Sequence, residues 1–279
     1  MNRRKIVEKV LAAKMVDYIP KGEIVITDGF INQFKAPHLE NVLEYLGSDI
    51  VTISINSTKE DWKYWRNKEY FVFGLVQGPF TYLLEKMGFH SICKYIVKKP
   101  NELEEMMNEY LKKMVNNLEL ALYYGCDGIL FADDIAGNRG LMVSPRFLKN
   151  YYFKVVSNFL DQIHRENTSF IFHSDGNIVE LTDTIYKSGF SGIQCLQPST
   201  NISINSFSNE QLQKLCFWGN FEFEMKNSEL IETEVTQLLK DWSVCSRYIF
   251  SSSGGLYEGI SKERVKNAYL IVDNYRKNL

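Results

Sequence analysis

The amino-acid sequence predicts an α/β protein, and specifically a (β/α)8 TIM barrel formed by one domain over residues 1–279. Short apolar runs rich in β-branched and aromatic residues recur eight times along the chain. The runs are apolar throughout, which is typical of strands buried on both faces. Longer segments with helical periodicity separate them, as expected for a parallel sheet covered by helices. A length of 279 residues suits one such barrel.

The eight predicted strands follow one another along the chain with helical segments between them. They are Ile24–Phe30, Asp49–Ile55, Phe71–Gln77, Gly128–Asp133, Ser169–His173, Gly192–Leu196, Leu215–Trp218 and Tyr248–Ser251. Eight strand–helix units in a chain of this length favour a closed barrel over an open sheet.

The helical segments carry recognisable start signals. A first helix over Asn2–Met15 precedes the first strand, and we expect it to close the bottom of the barrel. Capping residues precede four later helices, namely Asn101 with Glu104, Ser144 before Pro145, Ser208 with Gln211, and Ser261. The polar and aromatic segment Asn56–Lys68 is the best candidate for an excursion over the active face.

Composition and charge exclude several classes of protein. The formal charge is −2, without the basic balance typical of a nucleic-acid-binding protein. Glu8 and Lys9 interrupt the first apolar segment, which argues against a signal peptide, and no uncharged apolar run is long enough to span a bilayer. The five cysteines form no C-x-x-C pair or disulfide framework. We therefore expect a cytoplasmic protein that binds neither nucleic acid nor membrane.

Polar residues stand where the predicted strands end, the position at which barrels of this type bind and transform ligands. Those predicted to contact a small-molecule substrate are Asp28, Asn56, Gln77, Gln197, Asn220 and Ser253. Some of them have a purely structural alternative. Asp28 can cap a turn before Gly29, and Asn56 and Gln77 can satisfy loop backbone.

The adjacent carboxylates Asp133 and Asp134 end the fourth predicted strand. Strand geometry sends their side chains to opposite sides, so only one of them points into the barrel mouth. We predict that Asp134, which is nearer the loop, has this inward role. Asp133 is expected to cap a turn or to pair with Arg139 or Arg146.

His173 is the only one of four histidines that ends a predicted strand, and Asp175 follows two residues later. Together with Asp134, these residues are the predicted catalytic group. A histidine and an aspartate at this spacing can share a substrate, a proton or a metal. His173 and Asp175 are the candidate ligands of such a metal. Two ligands are too few for a catalytic zinc site, so a third from Asp134 depends on the fold.

Several segments resemble the uroporphyrinogen decarboxylase superfamily. They stand in the same order as in that superfamily: Arg3–Pro20, Gly128–Gly137, Leu141–Pro145, Phe172–Asn177, Gly189–Ile193, Trp218–Asn220 and Ser251–Gly255. The resemblance covers nearly the whole chain. It implies a (β/α)8 barrel and makes a homodimer an expectation.

The resemblance implies one of two activities. One removes carboxylates from a tetrapyrrole without a cofactor, and relies on an arginine-rich segment after the first strand. This chain has no arginine between Arg4 and Arg66, and Gly254 stands where that pattern has a late histidine. The other moves methyl groups between small substrates or thiol carriers and a corrinoid protein, often with zinc. Its zinc-dependent members carry His-x-Cys and a later Cys, which here are His173, Asp175 and Gly254.

The chain is therefore closer to the methyltransferase branch. We expect it to pass the methyl group of a methyl ether or methylamine to a corrinoid carried by a separate partner protein. Trp62, Tyr64 and Trp65 are expected to line the pocket, whereas Trp218 fits the core better. The alternatives are a barrel that binds a small molecule without transforming it and, less favoured, a decarboxylase acting on a tetrapyrrole.

Overall fold

Seven parallel strands form one curled sheet in this computed structural model, which describes residues 2–14, 16–163, 168–224 and 230–275. In spatial order the strands are β1 Ile50–Ser54, β2 Phe71–Gln77, β3 Gly128–Ala132, β6 Ser169–His173, β7 Gly192–Cys195, β8 Cys216–Phe221 and β9 Tyr248–Ser252. A short antiparallel hairpin follows β3, formed by β4 Ala136–Gly137 and β5 Gly140–Leu141.

The helices lie before and between these strands. The longer ones are α1 Arg3–Leu11, α3 Leu39–Leu46, α4 Lys59–Arg66, α5 Pro79–Met87, α6 Phe89–Lys98, α7 Pro100–Tyr124, α9 Phe153–Gln162, α12 Ile231–Trp242 and α13 Lys262–Asn274. The shorter ones are α2 Asp28–Ile31, α8 Pro145–Phe147, α10 Thr182–Lys187 and α11 Asn209–Lys214. Among the described residues, no helix is both long enough and apolar enough to cross a membrane.

Seven of the eight predicted strands are confirmed, with ends that differ by a few residues at most. The first, Ile24–Phe30, is wrong. Its last residues lie in helix α2, and Ile26 makes an isolated bridge to Leu256. A second isolated bridge, of Lys21 to Phe250, lies just before the predicted strand. The prediction of a parallel α/β sheet is therefore correct, and the prediction of a closed barrel is wrong, because no eighth strand among the described residues joins β1 to β9.

Glu23 provides a physical reason for the missing strand. Its buried carboxylate accepts hydrogen bonds from the Ser252 backbone N–H at 3.1 Å, from the Ser252 hydroxyl and from the Tyr269 hydroxyl at 2.7 Å. On the other edge, the Thr52 hydroxyl donates to the Glu23 carbonyl at 3.0 Å. A side chain thus satisfies the β9 backbone group that a neighbouring strand would otherwise pair.

Helix α1 closes the amino-terminal end of the curled sheet, as predicted. Its Val7, Val10 and Leu11 are buried in one apolar cluster with residues from the beginnings of the strands, among them Ile50, Phe71, Ile171, Cys216 and Ile249. The predicted end of this helix at Met15 lies outside the described residues. A larger apolar layer packs the remaining helices against the convex face.

Three predicted helix starts are confirmed, since the Ser144, Ser208 and Ser261 side chains accept hydrogen bonds from the backbone of the following turn. The capping box at Asn101 is wrong, because α7 already begins at Pro100. A proline needs no partner for a backbone N–H, so it suits this first position. The segment Asn56–Lys68 forms α4 and packs against α7.

Candidate active site

The three residues predicted as catalytic lie together at the carboxyl edge of the sheet. Asp134 follows β3 and His173 ends β6, and these strands are neighbours with Ala132 opposite His173. His173 Nε2 lies 3.7 Å from Asp134 Oδ1 and 4.0 Å from Asp175 Oδ1. One donor atom from each side chain lies within 4.8 Å of the others. Asp134, His173 and Asp175 are called the triad below.

Backbone hydrogen bonds hold the triad in this arrangement. The Asp175 N–H donates to Asp134 Oδ1 at 2.8 Å, and so links the two carboxylate-bearing loops. The next residue, Gly176, has φ +82° and donates its N–H to Gln197 Oε1 at 2.7 Å. A Cβ at this position would lie 2.4 Å from the Gly137 backbone nitrogen. The turn after Asp175 therefore requires a glycine, for its backbone angle and for the close approach.

The triad lies at the boundary between the interior and solvent. The His173 side chain is 9% exposed, whereas those of Asp134 and Asp175 are 44% and 53% exposed. The Nδ1 atom of His173 contacts Gln194 Oε1, which leaves Nε2 facing the two carboxylates. One imidazole nitrogen and two carboxylate oxygens around one point can hold a proton or a divalent cation.

Cys195, at the end of β7, is a member of the site that the sequence prediction missed. Its thiol donates to Asp175 Oδ1 at 3.3 Å, and burial raises the pKa of this thiol well above its usual range. The thiol therefore remains protonated and acts as a hydrogen-bond donor. The available signal was its position at the end of the strand next to His173.

Asp133 points away from the triad and caps a helix. Its carboxylate accepts from the backbone N–H groups of Phe80 at 2.9 Å and Thr81 at 2.6 Å, and from the Tyr152 hydroxyl at 2.8 Å. These bonds cap α5, so the predicted capping role is correct. The alternative of an ion pair with an arginine is not what the structure shows. Burial raises the pKa of Asp133 to about 6.

A cavity of about 480 Å³ opens beside the triad. Its polar lining comes from Ser54, Asn56, Gln77, Thr81, Asp134 and His173, and its apolar and aromatic lining from Ile55, Leu75, Tyr82, Tyr110, Met114 and Ala132. The structure thus brings two predicted substrate-binding residues, Asn56 and Gln77, to the same cavity as Asp134 and His173. None of the described lining residues is a lysine or an arginine.

The other predicted substrate-binding residues lie elsewhere. Gln197 accepts a hydrogen bond from the backbone N–H of Gly176, the residue that follows Asp175. Asp28 is an exposed residue at the start of α2. Asn220 accepts from the Tyr248 hydroxyl at 3.3 Å and lines a different groove, beside α12. Ser253 is buried, and its carbonyl accepts from Gln194 Nε2 at 3.3 Å. Their role in substrate binding stays a prediction.

The aromatic residues expected in the pocket do not line this cavity. Trp62 and Trp65 belong to the buried core on the outside of the sheet, and Tyr64 is exposed with its hydroxyl on Glu40. Trp218 is in the core, as expected. Trp62 and Trp65 do not reach the cavity because α4 turns its apolar face toward α7. Tyr82 and Tyr110 take the predicted place instead, stacked with ring centroids 4.0 Å apart.

Comparison with known proteins gives one family and a shared fold. No curated protein sequence matches the chain significantly. A solved methyltransferase from Methanosarcina mazei has a TM-score of 0.80 at 14% identity, over 99% of each chain. A protein assigned as a vitamin-B12-independent methionine synthase from Listeria monocytogenes has a TM-score of 0.53 at 12% identity, over 92% of this chain and 96% of its own. Residues 15–275 match the family described as uroporphyrinogen decarboxylase (URO-D). Since this match spans most of the sequence, the chain belongs to the uroporphyrinogen decarboxylase (URO-D) family.

Proposed function

We propose that this protein is a methyltransferase that moves a methyl group from a small methylated substrate to a corrinoid protein. The observation that carries the proposal is the convergence of Asp134, His173 and Asp175 beside a cavity of about 480 Å³. The fold that the chain shares with the Methanosarcina mazei methyltransferase supports it.

The charge of the cavity favours a neutral or cationic substrate. Asp134 contributes a carboxylate to its wall, and no lysine or arginine stands among the described lining residues. A tetrapyrrole with many carboxylates would need guanidinium groups to bind it and would be repelled here. Decarboxylation of such a substrate is therefore disfavoured. A methyl ether or a methylamine is small enough and carries no negative charge.

Different residues of the cavity would contact the methyl group and the donor heteroatom of such a substrate. Leu75 and Met114 offer an apolar surface to the methyl group and limit access of water. His173 Nε2, with Asp134 and Asp175 beside it, lies where it can hold a proton at the donor heteroatom. Protonation turns a poor leaving group into a better one, which is the main demand of methyl transfer from an ether or amine.

The triad also fits the zinc ion that the family resemblance implies. Catalytic zinc takes three protein ligands and keeps an open position, and the three donor atoms lie within 4.8 Å of one another. His173 Nε2 and one carboxylate oxygen each from Asp134 and Asp175 would hold the ion. Two oxygen donors in place of thiolates make the site harder, which suits oxygen or nitrogen donors better than a thiol. When bound, the metal supplies Lewis-acid polarisation of the heteroatom.

Replacing His173 by alanine tests the catalytic role. We expect the rate of methyl transfer from a methylamine or methyl ether to a purified corrinoid protein to fall by about 100-fold or more. The exposed His38 offers the matched control, and His38→Ala should leave the rate unchanged. Unchanged turnover in His173→Ala would reject the assignment. A ligand that binds to the unaltered protein and is recovered unchanged after long incubation would favour a non-catalytic binding protein.

Metal analysis tests the ligand set separately. We expect about one zinc per chain in the unaltered protein, and zinc affinity lower by about 10-fold or more in Asp134→Asn and Asp175→Asn. Equilibrium dialysis followed by elemental analysis measures both quantities. Zinc binding that persists at full affinity in both variants would remove the triad as the metal site.

A further inference from the structure

Gln194 is a buried glutamine in direct contact with the triad. It lies on β7 in register with His173 on β6, and none of its surface is exposed. The two side chains meet on the concave side of the sheet, where Gln194 Oε1 contacts His173 Nδ1. A buried amide without hydrogen-bond partners is unfavourable, so both ends of this side chain need a defined partner.

The partner at the other end fixes which way the amide points. Gln194 Nε2 donates to the backbone carbonyl of Ser253 at 3.3 Å. The opposite orientation would place the amide oxygen against that carbonyl oxygen, with no hydrogen between two acceptors. The amide oxygen therefore faces His173 Nδ1, where it can only accept a hydrogen bond.

This orientation determines where a neutral His173 carries its proton. A neutral imidazole has one N–H and one nitrogen lone pair. With an obligatory acceptor at Nδ1, the proton lies on Nδ1 and the lone pair of Nε2 points at Asp134 and Asp175. The opposite tautomer would set two lone pairs against each other in a buried position.

We propose that Gln194 is a positioning residue that fixes the Nδ1–H tautomer of His173, with the Ser253 carbonyl orienting Gln194 in turn. The Nε2 lone pair is then available to bind a metal or to accept a proton. The effect of this tautomer on methyl transfer rests on the proposed function, whereas the assignment of the tautomer does not. Ligand histidines commonly depend on such a partner at the second ring nitrogen, and its loss weakens metal affinity by about 10- to 100-fold.

Nitrogen NMR of the full chain tests the proposal directly. In a neutral histidine, the ring nitrogen that carries the proton and the one that carries the lone pair have different chemical shifts, so the spectrum identifies the tautomer. His173→Ala identifies the His173 signals among those of the four histidines. We expect the Nδ1–H form in the unaltered protein. Gln194→Leu removes the acceptor and should shift the signals toward the Nε2–H form. Gln194→Glu in its protonated form keeps an oxygen acceptor at Nδ1 and an O–H donor toward the Ser253 carbonyl, and should restore the Nδ1–H form.

Zinc binding provides the second measurement. Affinity should fall by about 10- to 100-fold in Gln194→Leu and recover most of that loss in Gln194→Glu. The control is Gln33→Leu, which removes a glutamine that donates to the Ile260 carbonyl and should leave both measurements unchanged. If Gln194→Leu fails to fold, the tautomer in the unaltered protein and in Gln194→Glu still decides the question.

An Nε2–H tautomer in the unaltered protein would overturn the proposal. The same holds if Gln194→Leu folds and keeps both the tautomer and the affinity. Absence of methyl transfer with every substrate tried, together with the expected tautomer change, would support the positioning role and reject only the proposed function.

Discussion

Asp133 and Asp134 are neighbours in the chain with different environments. Asp133 is buried and caps α5, whereas Asp134 is half-exposed and belongs to the triad. Burial disfavours the charged form of Asp133 and raises its pKa to about 6, despite the hydrogen bonds that favour the carboxylate. At the scale of a single residue, this carboxyl group makes stability depend on pH.

The folded protein holds the Asp133 proton more tightly than the unfolded chain does. The stabilising contribution is therefore complete below about pH 4 and is lost as the pH rises through about 6. Asp133→Asn cannot titrate. Between pH 4 and 7, we expect the unfolding free energy of the unaltered protein to fall by about 2 kcal/mol relative to that of this variant. Urea denaturation of both proteins at several pH values measures it, and a difference independent of pH would contradict the raised pKa.

At the scale of an element, the turn after β6 decides the shape of the active site. It begins at the end of β6 and places Asp175 opposite Asp134. Gly176 allows this turn, because its φ is positive and the Gly137 backbone leaves no room for a side chain. The spacing of His173 and Asp175 in the sequence brings their side chains together only because the backbone makes this turn.

Gly176→Ala should therefore alter the site as well as stability. A positive φ costs a non-glycine residue about 1–3 kcal/mol, and the clash with Gly137 adds to this cost. Gly259→Ala is the matched control, since Gly259 also has a positive φ, of +98°, but open space around its Cβ position. We expect the loss in unfolding free energy and in zinc affinity to be larger for Gly176→Ala. Equal losses in both variants would show that the contact with Gly137 has no effect.

At the scale of the whole molecule, the segment at residues 20–26 ties together the two edges of the sheet. Glu23 binds the β9 edge through Ser252 and α13 through Tyr269, and its carbonyl accepts from Thr52 on β1. The backbone of the same segment bonds to Phe250 on β9 and to Asp49 just before β1. The buried Glu23 carboxyl group adds to these backbone bonds where a closed barrel would have a full strand.

Glu23→Leu would leave three buried donors without a partner. Each unsatisfied donor costs about 1–3 kcal/mol, so we expect the unfolding free energy to fall by about 3 kcal/mol or more. Glu23→Gln keeps one acceptor and should lose less. Hydrogen exchange of the Ser252 amide should accelerate in Glu23→Leu relative to Glu23→Gln. A loss below about 1 kcal/mol in Glu23→Leu would mean that other contacts hold the two edges together.

The sequence by itself determined seven strands, the helix that closes the amino-terminal end, and the polar residues at the strand ends. Continuous apolar runs can be satisfied only in a buried sheet, and strand ends must be followed by loops. The sequence predicted His173 and Asp175 because they stand at the end of such a run. It predicted that Asp133 points away from the site because successive side chains of a strand point to opposite sides.

The tertiary structure alone decided which of these residues meet. Asp134 approaches His173 because β3 and β6 are neighbours, although they are far apart in the chain. Gln194 and Cys195 looked like part of an apolar strand until β7 was placed beside β6. The sequence predicted a strand at Ile24–Phe30 that the structure lacks. Glu23 bonds to the β9 backbone through its side chain, and the periodicity of apolar residues does not reveal such a bond. Such contacts depend on strand order and side-chain direction in space, and local sequence pattern contains neither.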